Sequence, residues 1–218
     1  MLSFAWKWLG EKKIHVVGLP DFDRYATDPT NDYDLAATAH GLFDAADVVI
    51  AHNGIAFDTK KAQARMLIHG FSPPSPFKEV DTLRAARKRF AFTSNRLDDL
   101  CKALGIGQKR DTGGFNTWLG CINGDLDAWA RMKKYNKHDV RILEQLYLRL
   151  RPWIDGHPNI AMLDGNMDSC PKCGADAMSR QGFKFNRTTT VQQWKCRACG
   201  GWASSRTSEK VPQPSLVN

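Results

Sequence analysis

Four of the six cysteines stand in two Cys-x-x-Cys pairs, Cys170-Pro-Lys-Cys173-Gly and Cys196-Arg-Ala-Cys199-Gly, with 22 residues between Cys173 and Cys196. Each pair can place two thiolates on one ion, and the glycine after it permits a tight turn, so two such knuckles close a tetrahedral four-thiolate site. A complete sulfur shell leaves no position for a substrate. The expected ion is therefore a structural zinc, which supplies the folding free energy that a module of about 40 residues cannot draw from its own core. The competing reading is a disulfide pair in a secreted protein. Residues Met1 to Trp8 show no basic start leading into a long apolar stretch, and no apolar run approaches the roughly 20 residues of a membrane span. The expectation is thus a chain of the reducing cytoplasm with no membrane association. Cys101 and Cys121 stand alone and are expected to be ordinary buried or half-buried thiols.

The chain has 218 residues, enough for one ordinary domain beside the cysteine module, and its aromatic fraction of 10% excludes wholesale disorder. Its formal charge is +8. Residues 164–218 hold 8 Lys+Arg against 4 Asp+Glu and residues 1–163 hold 23 against 19, so each part carries +4 and the shorter is much the more basic. A polyanionic partner such as nucleic acid fits that surplus; a basic surface that only aids solubility is the alternative.

Alternation of Leu2, Phe4, Trp6 and Trp8, a Gly10-Glu11-Lys12 turn and a branched run from Ile14 to Leu19 predict an N-terminal antiparallel hairpin. Helical spacing of Leu35, Ala39, Leu42 and Phe43 predicts a helix over about 32–46, feeding a buried strand over 47–51. A second helix begins near Asp58 and ends at Gly70, and a short strand lies near Val80. A helix over about 95–104, capped by Ser94 or Asn95, precedes a Gly-rich loop over 107–114, and the longest helix runs over about 126–150 to Pro152. Helix and strand alternate in α/β order. The expected domains are 1–152, a linker over 153–168, the cysteine module over 169–207 and a frayed tail over 208–218.

In the long helix Tyr135 and Asp139 are four residues apart and share a face that continues through Ile142 or Leu143 to Leu146 and Leu150. An inward carboxylate there calls for a cation, an Arg or helix-end amides. Asp58 directly follows a strand and loop at a helix start, where an acid also serves the helix dipole alone.

The run Val48-Val49-Ile50-Ala51-His52-Asn53-Gly54-Ile55-Ala56-Phe57-Asp58 resembles the second motif of the proofreading-type 3′–5′ exonucleases, and Tyr135-Asn136-Lys137-His138-Asp139-Val140 resembles their third. Tyr-x3-Asp matches the Tyr subclass of that family, which is named for its four acidic ligands. Asp81-Thr82-Leu83 and the stretch from Asn95-Arg96-Leu97 to Leu104-Gly105 are similar to the region between those motifs, so the resemblance covers about residues 2–150. With the Trp-Lys-Trp hairpin and an appended four-cysteine ribbon, the chain is also similar to stand-alone bacterial and phage ribonuclease H-like proteins, for which the compartment is a bacterial or phage-infected cytosol. The resemblance implies a ribonuclease H-like mixed sheet flanked by helices. It further implies Asp58 and Asp139 as ligands to two Mg²⁺ or Mn²⁺ ions about 4 Å apart, with Tyr135 orienting the attacking water. Asn53 would stiffen the loop or touch substrate, although an Asn at a strand end is also a plain turn residue. His138, adjacent to Asp139, is expected at the surface.

The first family motif, an Asp-x-Glu on an opening strand, is missing: none of Glu11, Glu79, Glu144 and Glu209 lies two residues after an Asp. Asp21 and Asp23 follow the second hairpin strand, and Glu79 or Asp81 could substitute only in an altered fold. Three explanations stand, of which the first is preferred: the sequence begins inside a longer product, a partner chain supplies the strand, or catalysis has been lost.

Arg84, Arg87, Lys88 and Arg89, and Lys109 and Arg110 in the Gly-rich loop, could follow a phosphate backbone or only be solvated. In the cysteine module Lys184, Arg187, Lys195 and Arg197 interleave with Phe183, Phe185 and Trp194, a mix suited to phosphates and stacked bases, although the aromatics equally suit the ribbon's own core. The leading expectation is a metal-dependent 3′–5′ exonuclease acting on single-stranded or frayed 3′ ends. The alternative is a non-catalytic nucleic-acid-binding protein built on a degenerate nuclease scaffold.

Overall fold

A computed structural model describes residues 1–107 and 114–208. The chain divides into two compact units, the first Met1–Tyr147 and the second from Leu148 onward. The expected frayed tail, apart from Ser208, lies outside the described residues, as do Lys109 and Arg110.

In the first unit β1 (Ser3–Trp6) and β2 (His15–Gly18) form the anticipated antiparallel hairpin, with Trp6 opposite His15 and their rings stacked at 5.1 Å. Two 3₁₀ turns lead to α1 (Tyr33–Asp44), which feeds β3 (Val48–Ala51). Helix α2 (Asp58–Ile68) follows, and β4 (Lys78–Asp81) lies parallel to β3. Helices α3 (Thr82–Arg89), α4 (Leu97–Ala103) and α5 (Phe115–Ile122) precede the 25-residue α6 (Leu126–Leu150). Sequence reading anticipated α3 only as a solvated helix face carrying Arg84, Arg87, Lys88 and Arg89, and did not anticipate α5. The cap of α4 also differs from expectation: Arg96 holds the cap position, and Ser94 serves from outside by accepting from the Arg96 N–H and donating to Asp99.

The strands form two separate two-stranded ladders, β1–β2 and β3–β4. Both rest on one helical layer, because Phe4 of β1 and Val49 of β3 pack against the same buried group, Ala39 and Phe43 of α1 with Ala62 and Met66 of α2. A second cluster joins Leu19 and Leu35 to Ala128, Trp129 and Met132 of α6. Polar straps tie α6 to the hairpin and to the 3₁₀ turn after it: Lys7 to Glu144, Lys133 to Asp21, and the Asn136 amide to the Ser3 hydroxyl, each at 2.5 Å. Asp21 is thereby engaged in structure, since its other oxygen accepts from the Gly18 N–H.

Asp32, 1% exposed, anchors the start of α1 through Arg65, His69 and the chain's amino group. Burial acts to raise its carboxyl, but the guanidinium of Arg65, with His69 and the ammonium, outweighs burial and holds it far below the usual range.

In the second unit β5 (Met178–Phe185), β6 (Thr190–Cys196) and β7 (Trp202–Ser204) form an antiparallel sheet with a bulge between Arg180 and Phe183. A 3₁₀ turn at Arg151–Trp153 leads into the segment expected as linker, which contains a short helix, α7 (Ile160–Leu163), whose Ile160 N–H bonds the Pro171 carbonyl beside the first cysteine knuckle. Among the described residues no helix is long and apolar enough to cross a membrane.

Candidate active site

The parallel pair β3–β4 positions two acids, Asp81 at the end of β4 and Asp58 beyond the turn that follows β3. Asp81 closes β4 and caps α3: its Oδ1 accepts the N–H groups of Leu83 at 2.9 Å and Arg84 at 3.3 Å. The same oxygen accepts the Asn53 N–H at 3.0 Å, binding the β3–α2 turn to the β4–α3 junction. Asp81 is 6% exposed, and its Oδ2 is buried without a hydrogen-bond partner.

The turn it grips is unusual. Asn53 is the only described non-glycine residue with positive φ, at 66°, a conformation an Asn tolerates better than most residues. Gly54 is required by close approach, since a Cβ there would lie 2.4 Å from the Ala51 Cβ. His52 locks the far side: its Nε2 lies 3.0 Å from the Asn95 carbonyl, to which it donates, and its Nδ1 2.9 Å from the Thr82 hydroxyl. Thr59 donates to Glu79 at 2.5 Å, so Glu79 is occupied in bracing α2 against β4. Asp58 leaves this braced turn as the first residue of α2. Its side chain reaches solvent, yet the protein packed around it pushes its carboxyl up, and the charge of Asp81 adds to the rise. Sequence reading found Asp58 but missed the role of Asp81, whose signal is an acid placed directly before a helix start.

Tyr135 and Asp139 lie one turn apart on α6, as their spacing required. Ile142, Leu146 and Leu150 are the buried positions of that face, with Leu143 half-buried. Asp139 is half-buried, and so is His138, which was expected at the surface. Helix α4 packs alongside, its buried Cys101 thiol 3.9 Å from the Ile142 carbonyl. Burial, then Asp98, then Asp139 push that thiol up to about 11. Tyr135 lines a cavity of about 440 Å³ with Gly114, Phe115, Thr117, Trp118 and Met132. Among the described residues, no three carboxylate or imidazole groups converge within 4.8 Å of one another; the only group of three or more potential ligands that does so is the four cysteines.

Those cysteines are all unpaired. Sγ of Cys170 lies 3.8 Å from that of Cys199, and Sγ of Cys173 3.8 Å from that of Cys196. A tetrahedron with metal–sulfur bonds of about 2.3 Å has edges of about 3.8 Å, so the sulfurs stand where four thiolates around one ion would. The two knuckles are equivalent turns: Gly174 N–H to the Cys170 carbonyl and Gly200 N–H to the Cys196 carbonyl. Burial pushes the thiols of Cys170, Cys173 and Cys199 up. At Cys196 burial is outweighed by the amides of Cys199 and Ala198 together with neighbouring sulfurs, and the thiol is drawn down.

The candidate nucleic-acid contacts are distributed unequally. Arg84, Arg87, Lys88, Arg89, Lys184 and Arg187 are exposed, as is Asn53. Trp194 takes the second of the two roles open to it, in the ribbon's own packing: its indole N–H donates to the Ser205 hydroxyl at 3.0 Å and the Arg180 guanidinium lies 5.9 Å above its ring. Trp202, unremarked in the sequence, is 48% exposed on the opposite face, with the Lys195 ammonium 5.7 Å from its ring.

No curated protein and no solved structure matches the chain. A protein-family model described as RNase_H superfamily matches residues 10–151, from within the hairpin to just past α6. That span holds the braced turn, both acids of the β3–β4 pair and the Tyr135–Asp139 helix, and the chain belongs to the ribonuclease H superfamily.

Proposed function

We propose that the chain is a metal-dependent 3′–5′ exonuclease that hydrolyses phosphodiester bonds of nucleic acid, with single-stranded or frayed 3′ ends as substrate. The observation that carries this reading is the braced turn that presents Asp58 beside Asp81, in a superfamily of nuclease-type enzymes whose matched span also contains Tyr135 and Asp139. Asp58 and Asp139 would each hold Mg²⁺ or Mn²⁺, hard oxygen ligands suiting hard cations. Bound there, the ions would supply an activated water and charge stabilisation for the leaving oxygen. Tyr135 orients the water, and Asp81 keeps Asp58 in place. The cysteine knuckles hold a structural Zn²⁺, and the ribbon contributes Lys184, Arg187 and Lys195 to the strand, with Trp202 taking the stacking role first expected of Trp194. On this reading residues 1–152 carry the chemistry and 169–207 the ribbon.

The test is degradation of a 5′-labelled single strand with Mg²⁺ or Mn²⁺ by this chain, by Asp58→Asn and Asp139→Asn, and by a version extended upstream. A ladder shortening from the 3′ end that either substitution abolishes supports the enzyme. Activity only in the extended form assigns the missing carboxylates to a preceding segment. A second reading, a non-catalytic nucleic-acid binder, is favoured by the lack of three converging carboxylates among the described residues. Strand binding without cleavage in every form would establish it and refute the enzyme.

A further inference from the structure

Strand β5 changes its alternation partway along. Between Arg180 and Phe183 it advances three residues while β6 advances two, from Trp194 to Gln192, so one extra residue sits in β5. Directly opposed residues share a face of a sheet. The bulge therefore brings Phe183 and Phe185 onto the face of Arg180 and Trp194, where unbroken alternation would have put Gly182 and Lys184. It is held in place: Gly182 takes a φ of 62°, and Gln192, 2% exposed, accepts from the Arg180 guanidinium at 2.9 Å and donates to the Gly182 carbonyl at 2.5 Å. The re-aimed rings are not the ribbon's core. Phe183 is 39% and Phe185 75% exposed, whereas Trp194 is retained by Ser205 and Arg180. They also lie on an edge strand of the sheet.

We infer that Phe183 and Phe185 form a two-base stacking platform for single-stranded nucleic acid, with Arg187 in the adjoining turn for the phosphates. Charge selects a polyanion: the 32 residues between Asp176 and Glu209 hold six cations, Arg180, Lys184, Arg187, Lys195, Arg197 and Arg206, and no acid. A second copy of the ribbon would set cations against cations. Spacing selects a single strand: alternate residues of a β-strand stand about 6.7 Å apart, roughly twice the 3.4 Å between bases stacked in a duplex. Each ring can thus take one splayed base by its π-face, whatever the base. Lys195 and Trp202 are paired on the other face, so this platform is separate from the contact assigned to Trp202. The inference rests on the nucleic-acid reading above and adds a grip on unpaired strand that lies outside the matched span 10–151.

The test uses the full zinc-loaded chain and three 5′-fluorescein probes in buffer without Mg²⁺ or Mn²⁺: decathymidylate, an abasic decamer of equal charge, and a blunt duplex. Affinities come from fluorescence anisotropy. Exchanging both rings, Phe183→Ala with Phe185→Ala, should weaken decathymidylate binding about tenfold and leave the abasic decamer and the duplex unchanged. Phe185→Leu, which keeps the apolar bulk, should weaken it as well, whereas Phe185→Tyr should bind as the parent does. Unchanged zinc content and circular dichroism confirm that each variant is folded. Ultraviolet irradiation of a 5-iodouracil decamer should attach it to the peptide that holds Phe183 and Phe185, and attachment only elsewhere overturns the platform. Equal weakening of all three probes by the double substitution, or of none, overturns it too while leaving the nucleic-acid reading intact. Failure of the unmodified chain to bind any probe overturns both. A concentration-dependent dimer that the double substitution dissociates, with decathymidylate affinity unchanged, gives the rings to a second copy and likewise overturns the platform.

Discussion

Replacing Asp81 by alanine removes one acceptor from three N–H groups at once, and the three belong to two elements. Loss of the α3 cap costs about 0.5–2 kcal/mol, and loss of a charge-assisted bond from the Asn53 N–H about 1.5–3 kcal/mol. Against these stands a relief: the carboxylate is buried with Oδ2 unpartnered, and it repels Asp58. The expected net loss is about 2 kcal/mol, roughly 4–8 °C for a unit of this size. Asp81→Asn keeps the accepting oxygen and removes the charge, so it should stay within about 1 kcal/mol of the parent. Urea unfolding gives the totals, and amide hydrogen exchange locates them: the Asn53, Leu83 and Arg84 N–H groups should exchange faster in Asp81→Ala than in Asp81→Asn. In both variants the Asp58 carboxyl, followed by carbon-13 NMR, should titrate lower than in the parent. An alanine variant as stable as the parent, or an asparagine variant as damaged as alanine, refutes the clamp.

Three further outcomes follow from the same structure. Asp32 is depressed in the folded state, so its contribution is complete above the unfolded carboxyl value of about 3.9 and is lost as pH falls below it; Asp32→Asn should flatten urea midpoints through that acid range, and an unchanged slope contradicts the ion cluster. Cys101, fully buried with its thiol raised to about 11, should react with a disulfide reagent at pH 8 on the order of 100-fold more slowly in the folded chain than in urea, and a fast native reaction would show that α4 does not seal it. Chelation should release about one zinc per chain and expose the indole of Trp194 to quenchers, whereas Cys196→Ser should bind no zinc; an unchanged ribbon after metal removal overturns the four-thiolate assignment.

What the sequence disclosed depended on how local the signal was. The hairpin, α1, β3 and α6 announced themselves by apolar pattern, α2 by its start at Asp58 and stop at Gly70, and the knuckles by spacing, because in each case the residues that cooperate are neighbours along the chain. Helix α5 is hard to read from sequence because its apolar residues of helical spacing, Phe115, Trp118, Leu119 and Ile122, face solvent and directly follow a glycine-rich loop. The Asp81 clamp joins residues 28 apart, and only the parallel pairing of β3 with β4 brings Asn53 to it. Trp194 and Trp202 look alike in sequence; strand register puts them on opposite faces, and Ser205 and Arg180 decide which one is retained. Spacing predicted that Tyr135 and Asp139 share a face, but whether acids from separate elements meet is a tertiary property that no spacing encodes.

The most direct test of the central claim is divalent-ion uptake at the two acids, measured by Mn²⁺ electron paramagnetic resonance on zinc-loaded chain so that the cysteines are already filled. With few carboxylates to neutralise the ion, affinity should be weak, on the order of millimolar, and both Asp58→Asn and Asp139→Asn should reduce it at least tenfold while Tyr135→Phe leaves it unchanged. Equal Mn²⁺ uptake by the parent and by an Asp58→Asn, Asp139→Asn double variant would contradict the account.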